Sequence, residues 1–283
     1  MIEIGKINNL KISKIDNRGI FFDGEEFGEL FLPRREAPQN AKSGDSIKVF
    51  LYPDSERKII ATVKKPFGMA GQFAWLKVIS VNSVGVFMDW GLKKDLMVPF
   101  SEQKQSLKDG RSYIVYILFD TKSNRIIAST KLHKYFKTDV PVYEEGVETD
   151  LLIYGQTETF YKVIVDHSYK GVLYKNEVFQ KLFLGQQVKG YVKKVREDGK
   201  VDLLFHKPGY GKVNGLSKVI LERLEREGGY LPVTDKSSPE VIYDLFGESK
   251  STFKNALGLL YKKRIISIDQ KGIRLNKKNE SNG

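Results

Sequence analysis

Short apolar runs with period two fill the first three quarters of the chain. Between residues 66 and 138 they are Phe73–Val81, Val84–Asp89, Asp95–Val98, Tyr113–Phe119 and Arg125–Ser129. They are rich in Val, Ile, Phe and Tyr, and turns rich in Gly, Asn, Asp and Lys separate them. Five short strands in about 65–75 residues predict a small closed β-barrel. Strand alternation assigns the faces: Val86 and Met88 point inward, Phe87 and Asp89 outward. The opposite phase, with Phe87 in the core, is the alternative.

The pattern recurs. Gly19-Ile20-Phe21-Phe22-Asp23 and Gly85-Val86-Phe87-Met88-Asp89 lie 66 residues apart, and the same offset pairs Pro33 with Pro99, Gly44 with Gly110 and Asp54 with Asp120. In the first copy, alternation puts Ile20 and Phe22 inside and Phe21 outside. A looser third copy aligns Val163-Ile164-Val165-Asp166 with Val86–Asp89, Asn176-Glu177 with Ser101-Glu102, and Gly185 with Gly110.

From Asn214 the apolar period becomes helical, with Leu216, Val219, Ile220 and Leu224 on one face and Gly228-Gly229 as the stop. Ser238-Pro239-Glu240 is a helix start, followed by Val241, Ile242, Leu245 and Phe246. Ser249 caps a third helix with the stripe Phe253, Ala256, Leu257 and Leu260. Ile265–Ile268 and Ile273–Leu275 around Gln270-Lys271-Gly272 predict a β-hairpin. Three helices and a hairpin are the order of a winged helix. The fold expected is multidomain and mainly β: three consecutive OB-type barrels, residues 1–65 (divergent), 66–138 and 139–210, then an α/β winged helix, 214–278.

Charge adds a partner class. The chain has 47 Lys and Arg against 35 Asp and Glu, net +12, which favours a polyanion. Residues 249–278 carry nine Lys or Arg and only Asp269, net +8. Zero cysteines exclude disulfides, thiolate zinc sites, iron–sulfur clusters and a Cys nucleophile. The three histidines, His133, His167 and His206, have no metal-ligand spacing. Asp166-His167 is the one adjacent acid–His pair on a strand, and successive strand residues face opposite ways. No catalytic residue, metal site or cofactor is expected. No apolar run approaches the length of a membrane span and the N-terminus lacks a secretory pattern, so a cytoplasmic protein is expected.

Gly85-Val86-Phe87-Met88-Asp89, Asp95–Glu102, Asp109-Gly110 and Arg125–Ser129 resemble the S1-type RNA-binding domain. Pro99 and Pro33 stand where that family often has His; the third copy has Tyr174 there and Ile164 at the aromatic position of strand two. Asp235–Glu240 with Ser249-Lys250, Phe253-Lys254, Ala256, Gly258 and Leu260-Tyr261-Lys262 is similar to the conserved virulence factor B family, three S1-type domains followed by a winged helix. The resemblance is strongest over 229–263 and in the second copy. It implies a cytoplasmic, non-enzymatic bacterial RNA-binding regulator of gene expression.

Outward aromatics flanked by cations suit single-stranded bases. The candidate RNA-binding residues are Phe21, Trp75, Lys77, Phe87, Arg111, Arg125, Tyr161, His167 and Tyr169. At the winged helix they are Lys250, Lys254, Lys262, Lys263, Arg264, Lys271 and Arg274, on a surface open to DNA, structured RNA or protein. The expected partner is single-stranded RNA, messenger RNA foremost, bound by a monomer. Two alternatives stay open: a DNA-binding transcriptional regulator acting through the winged helix, and a ribosome- or polymerase-associated scaffold.

Overall fold

A computed structural model describes residues 1–175, 178, 181–205 and 212–276. The chain divides into two compact units. One comprises Met1–Thr138 with Asp166–Tyr169 and Gly185–Gln187; the other comprises Asp139–Val165, Lys170–Leu184 and the chain from Val188 onward.

The first five strands are β1 (Ile7–Ile15), β2 (Gly19–Asp23), β3 (Glu29–Pro33), β4 (Ser46–Pro53) and β5 (Ile59–Thr62). They form one sheet in the order β3-β2-β1-β4-β5. It curls without a ladder between its end strands, so it is nearly closed rather than closed. The next five are β6 (Phe73–Asn82), β7 (Gly85–Asp89), β8 (Leu96–Pro99), β9 (Ser112–Asp120) and β10 (Arg125–Ser129). This barrel closes where β8 runs parallel to β10, Met97 opposite Ile127. A third barrel, also closed, has β11 (Glu148–Gln156), β12 (Phe160–Val165), β13 (Tyr169–Tyr174), β14 (Gln187–Val195) and β15 (Val201–Leu204), with β13 parallel to β15.

A bulge recurs in the first strand of each barrel. The register skips a residue between Ile12 and Lys14, between Val78 and Ser80, and between Ile153 and Gly155. In the first two barrels it falls where strand one passes from one partner to the other. Ile7–Lys11 pair with β4 and Ile12–Ile15 with β2; Phe73–Lys77 pair with β9 and Lys77–Asn82 with β7. An extra residue there bends and twists the strand, which lets one strand serve two sheets.

The bulge also fixes the true alignment of the copies. Met88, Phe22 and Val163 sit at the same rung before it; Phe87, Phe21 and Lys162 share the rung after it. The third copy is therefore two residues out of the phase expected from sequence. Lys162, not Ile164, takes the place of Phe87. A slip of two preserves the faces, so Val163 and Val165 still point inward: a Cβ added to Gly171 would meet both.

Glycine opens strand two in the first two barrels because strand three passes too close for a side chain. A Cβ on Gly19 would stand 2.1 Å from the Leu32 carbonyl oxygen, and one on Gly85 2.9 Å from that of Val98. A second repeated device ties strand three to strand five. A short 3₁₀ turn follows β3 and β8, and its Glu36 or Glu102 accepts a hydrogen bond from Thr62 or Ser129 at the end of β5 or β10. Glu177, the matching acid of the third copy, lies outside the described residues.

The first two barrels share one apolar core. Trp90, just past β7, is buried against Phe50 and Tyr52 of β4, with ring centroids 5.7 and 6.3 Å away. Its indole N–H donates to the Lys94 carbonyl at 2.5 Å. The Lys94 ammonium donates to the carbonyls of Pro53 and Asp54, at 2.9 and 2.6 Å.

The C-terminal part contains α1 (Lys212–Arg226), β16 (Tyr230–Leu231), α2 (Pro239–Phe246), α3 (Lys250–Lys262), β17 (Ile266–Ile268) and β18 (Ile273–Leu275). The sheet order is β16-β18-β17. The Ser238 side chain accepts from the Val241 N–H, Pro239 opens α2, and Gly247 closes it in the left-handed conformation. Ser249 accepts from the Thr252 N–H at the start of α3. Leu216, Ile220, Leu224, Ile242, Phe253, Leu257, Leu260, Ile266 and Ile273 pack one core. Helix α1 begins at Lys212, ahead of the expected Asn214, and β16 is an addition: two residues are too few to leave a periodic signal. Residues 206–211, between the expected third barrel and winged helix, lie outside the described residues.

Candidate nucleic-acid interface

On the second barrel the expected phase holds. Val86 is 1% exposed and Met88 0%, both in the core, whereas Phe87 is half-buried on the outer face. The register sets its neighbours. Ser80 of β6 and Met97 of β8 are its direct cross-strand partners, and Met97 in turn faces Ile127 of β10. Ser80, Phe87, Met97 and Ile127 thus form one row across four strands. Pro99, opposite Gly85, lies one step along the same face of β8.

Cations border this row. Lys77 is exposed and opposite Asp89. Arg125 lies two residues before Ile127 and so shares its face of β10. Arg111 is exposed, and its carbonyl accepts from the Val78 N–H at 2.8 Å, at the barrel end where Lys77 stands. Acids interleave. Burial, reinforced by Asp89, raises the Asp95 carboxyl above its ordinary range. Burial, reinforced by Arg125, lowers the Lys94 ammonium.

Phe21 occupies the same rung of the first barrel but is not open. It lies outside the core cluster yet is only 5% exposed. The Phe31 ring lies 5.1 Å away, and the Lys14 ammonium and Arg18 guanidinium sit over Phe21 at 5.6 and 5.2 Å. Arg18 is itself held by Asp16, at 2.9 Å from Nη2. The expected outward direction is right; the exposed surface is absent.

The third-barrel candidates each make contacts within the fold. Tyr161 is 7% exposed, at the rung of Val86, and its hydroxyl accepts from the Leu182 N–H at 3.4 Å. Its neighbour Phe160 is half-buried, its ring 6.3 Å from that of Tyr174. His167 has a left-handed backbone, and its Nδ1 accepts from the Phe73 N–H at 3.2 Å. Tyr169 carries the Lys137 ammonium 5.6 Å from its ring centre. On the outward face of β15, Asp202 is 4% exposed and is bound by Arg196 at 2.6 Å, while Arg196 also donates to the Tyr174 hydroxyl at 2.7 Å. Charged groups stand where the second barrel has an apolar row.

Trp75 projects from the outer face of β6 beside Lys77. A Cβ on Gly185 would come within 2.3 Å of its indole, so backbone covers one side of the ring. It is a wall, not an open platform.

On the winged helix, α3 turns Thr252, Phe253, Ala256, Leu257 and Leu260 inward and exposes Ser251, Lys254, Asn255, Tyr261 and Lys262 on the opposite side. Lys263 and Arg264 continue this exposed surface. Lys250 departs from it: half-buried at the start of α3, it reaches the Lys236 carbonyl at 3.5 Å. The Arg274 guanidinium packs 4.4 Å over the Tyr230 ring and pairs with Asp269 at 3.3 Å, while Lys271 is exposed at the hairpin tip. Among the described residues no three His, Asp or Glu side chains stand together as metal ligands.

Sequence reasoning missed Met97 and Phe31, the strand-three partners of Phe87 and Phe21. Leu30-Phe31-Leu32-Pro33 and Leu96-Met97-Val98-Pro99 repeat at the same offset, and the alternation used for strand two would have turned both outward.

Three five-stranded OB-type sheets followed by a winged helix define a tandem S1-type protein with a C-terminal winged helix. Residues 4–64 match the S1 domain family and residues 218–275 match the CvfB-like winged helix domain. The S1 match falls on the first copy, which carries fewer of the motif residues than the second. The chain is 29% identical to the protein YitL of Bacillus subtilis over 91% of this chain and 89% of that one. It is 28% identical to conserved virulence factor B of Staphylococcus epidermidis, over 97% and 95%. A crystal structure of a multidomain protein with nucleic acid binding domains from Streptococcus pneumoniae shares 26% identity over 96% of this chain and 98% of that one, with a TM-score of 0.41. Along nearly its whole length the chain is thus similar to conserved virulence factor B proteins, and its C-terminal part carries the winged helix typical of them.

Proposed function

We propose that the chain binds single-stranded RNA through the outer face of its second barrel and acts, without catalysis, as a cytoplasmic post-transcriptional regulator. The observation that carries this reading is the row Ser80, Phe87, Met97 and Ile127, bordered by Lys77, Arg111 and Arg125. An aromatic held off the core on a rigid strand offers a face to an unstacked base, and stacking on such a face contributes about 1–3 kcal/mol. Bases inside a duplex cannot reach it. The exposed cations of α3 add sequence-independent attraction for phosphate. Messenger RNA is the natural source of such strands. The similarity to conserved virulence factor B proteins and the S1 match support the same class.

The test is competition between a single-stranded RNA and a DNA duplex of the same sequence for the full chain at fixed salt. Preference for the single strand is expected. Preference for the duplex would instead favour a DNA-binding regulator led by the Lys254–Lys262 face of α3.

A further inference from the structure

The outer face of the second barrel continues past Phe87. The ladder between β6 and β7 ends where Lys77 stands opposite Asp89, and Gly91 follows two residues beyond it. Phe87 and Asp89 therefore run along one edge of a strip, and Lys77 and Trp75 along the other. At its far end lies a cleft of about 680 Å³ whose lining includes Lys65, Phe67, Met69, Gln72, Trp75 and His167. All of these residues belong to the first compact unit.

Phe67 is 61% exposed in this cleft. It is nonetheless held in place: its N–H donates to the Trp90 carbonyl at 2.8 Å, and its ring lies over Gly91, 3.3 Å from where a Cβ would stand. The following turn is fixed by the Met69 N–H donating to the Gln72 side chain at 3.0 Å. An anchored aromatic with an open face is a stacking surface, and Trp75, covered on one side by Gly185, supplies a wall beside it. No carboxylate lines the cleft among the described residues, while Lys65 lines it and Lys77 stands next to Trp75. A polyanion meets attraction from Lys65 inside the cleft, while Asp89, the cross-strand partner of Lys77, stands outside its lining.

The geometry points to a second nucleobase subsite in this cleft, with Phe67 as its stacking surface and Lys65 and Lys77 as phosphate contacts, filled by the same single strand whose other base lies on Phe87. The inference rests on the reading that Phe87 stacks a base. Four residues separate positions 87 and 91, a span of at most about 13 Å at ~3.3 Å per extended residue. At the ~3.4 Å rise of a stacked strand that is about four nucleotides, and fewer when the strand is extended. A hexanucleotide therefore spans both subsites.

The experiment measures binding of the full chain to a fluorescent hexauridylate by anisotropy, for the wild type, Phe67→Ala, Phe67→Leu, Phe67→Trp and Phe87→Ala. Phe67→Ala and Phe67→Leu should each weaken binding roughly 5- to 140-fold, the range of one lost base stack. Phe67→Trp should bind at least as well as the wild type. Phe67→Leu keeps apolar bulk, so it separates stacking from packing should Phe67→Ala fold poorly. If Phe67→Leu binds like the wild type while Phe87→Ala binds weakly, the second subsite is overturned and the Phe87 reading stands. If both leave affinity unchanged, the Phe87 reading falls and the subsite with it.

Discussion

Phe87 and Val86 are adjacent on β7 and face opposite ways, so two truncations one residue apart should have opposite consequences. Phe87→Ala removes a half-buried ring from the outer face and leaves the core intact. Binding of single-stranded RNA should weaken by about 1–3 kcal/mol, or roughly 5- to 140-fold in Kd. The melting temperature should barely move. Val86→Ala removes two methyl groups from a side chain that is 1% exposed. At about 0.8 kcal/mol per buried carbon plus a cavity term, stability should fall by about 1.5–3 kcal/mol. RNA affinity, measured well below the melting transition, should hold. Titration of labelled RNA by anisotropy, paired with thermal melts followed by circular dichroism, reads both quantities on the same samples. A Phe87→Ala protein that melts early and binds normally would refute the assignment of faces.

Three further outcomes follow from other parts of the molecule. Trp90→Ala should cost about 3–5 kcal/mol, because it empties a core shared by two barrels, and denaturant unfolding should show both losing stability together. Changing Lys254, Lys262 and Lys263 to Ala together should weaken all single-stranded RNAs alike and make the slope of log K against log salt shallower by about 2, at ~0.7 per lost phosphate contact. An unchanged slope would remove α3 from the interface. Glu102 sets a pH dependence. Burial alone would raise its carboxyl, but hydrogen bonds from Ser129 and Tyr135 and the Lys134 ammonium outweigh it, and the net shift is below the ordinary 4.5. A depressed carboxyl contributes stability in full above about pH 4.5, and that contribution is lost as pH falls through the folded value. The melting-temperature gap between wild type and Glu102→Gln should therefore be widest at neutral pH and close in acid.

Strand positions in the second barrel, barrel count and winged-helix grammar were legible because each leaves a local trace. Gly85-Val86-Phe87-Met88-Asp89 alternates cleanly, and Ser238-Pro239 and Ser249 are caps whose mechanism is local. The third copy misled because no glycine marks the start of its strand two; Phe160 stands where Gly85 and Gly19 do. Alternation could turn Phe21 outward but could not show that Lys14 and Arg18 fold over it, since that cover depends on Asp16 holding the guanidinium. Trp90 and Phe67 gave no periodic signal because both lie in connections. Their roles depend on contacts with Phe50, Tyr52 and Gly91 that only the fold creates.

The most direct measurement uses the four methionines of the full chain. Met97 lies beside Phe87 on the outer face, Met88 is buried behind it, Met69 lines the cleft at Phe67, and Met1 is exposed at the N-terminus. With methionine methyl groups labelled with carbon-13, titration with single-stranded RNA should shift the Met97 resonance strongly. Met1 should stay in place. Saturation of RNA binding with the Met97 resonance unmoved would contradict the claim that this face of the second barrel holds the strand.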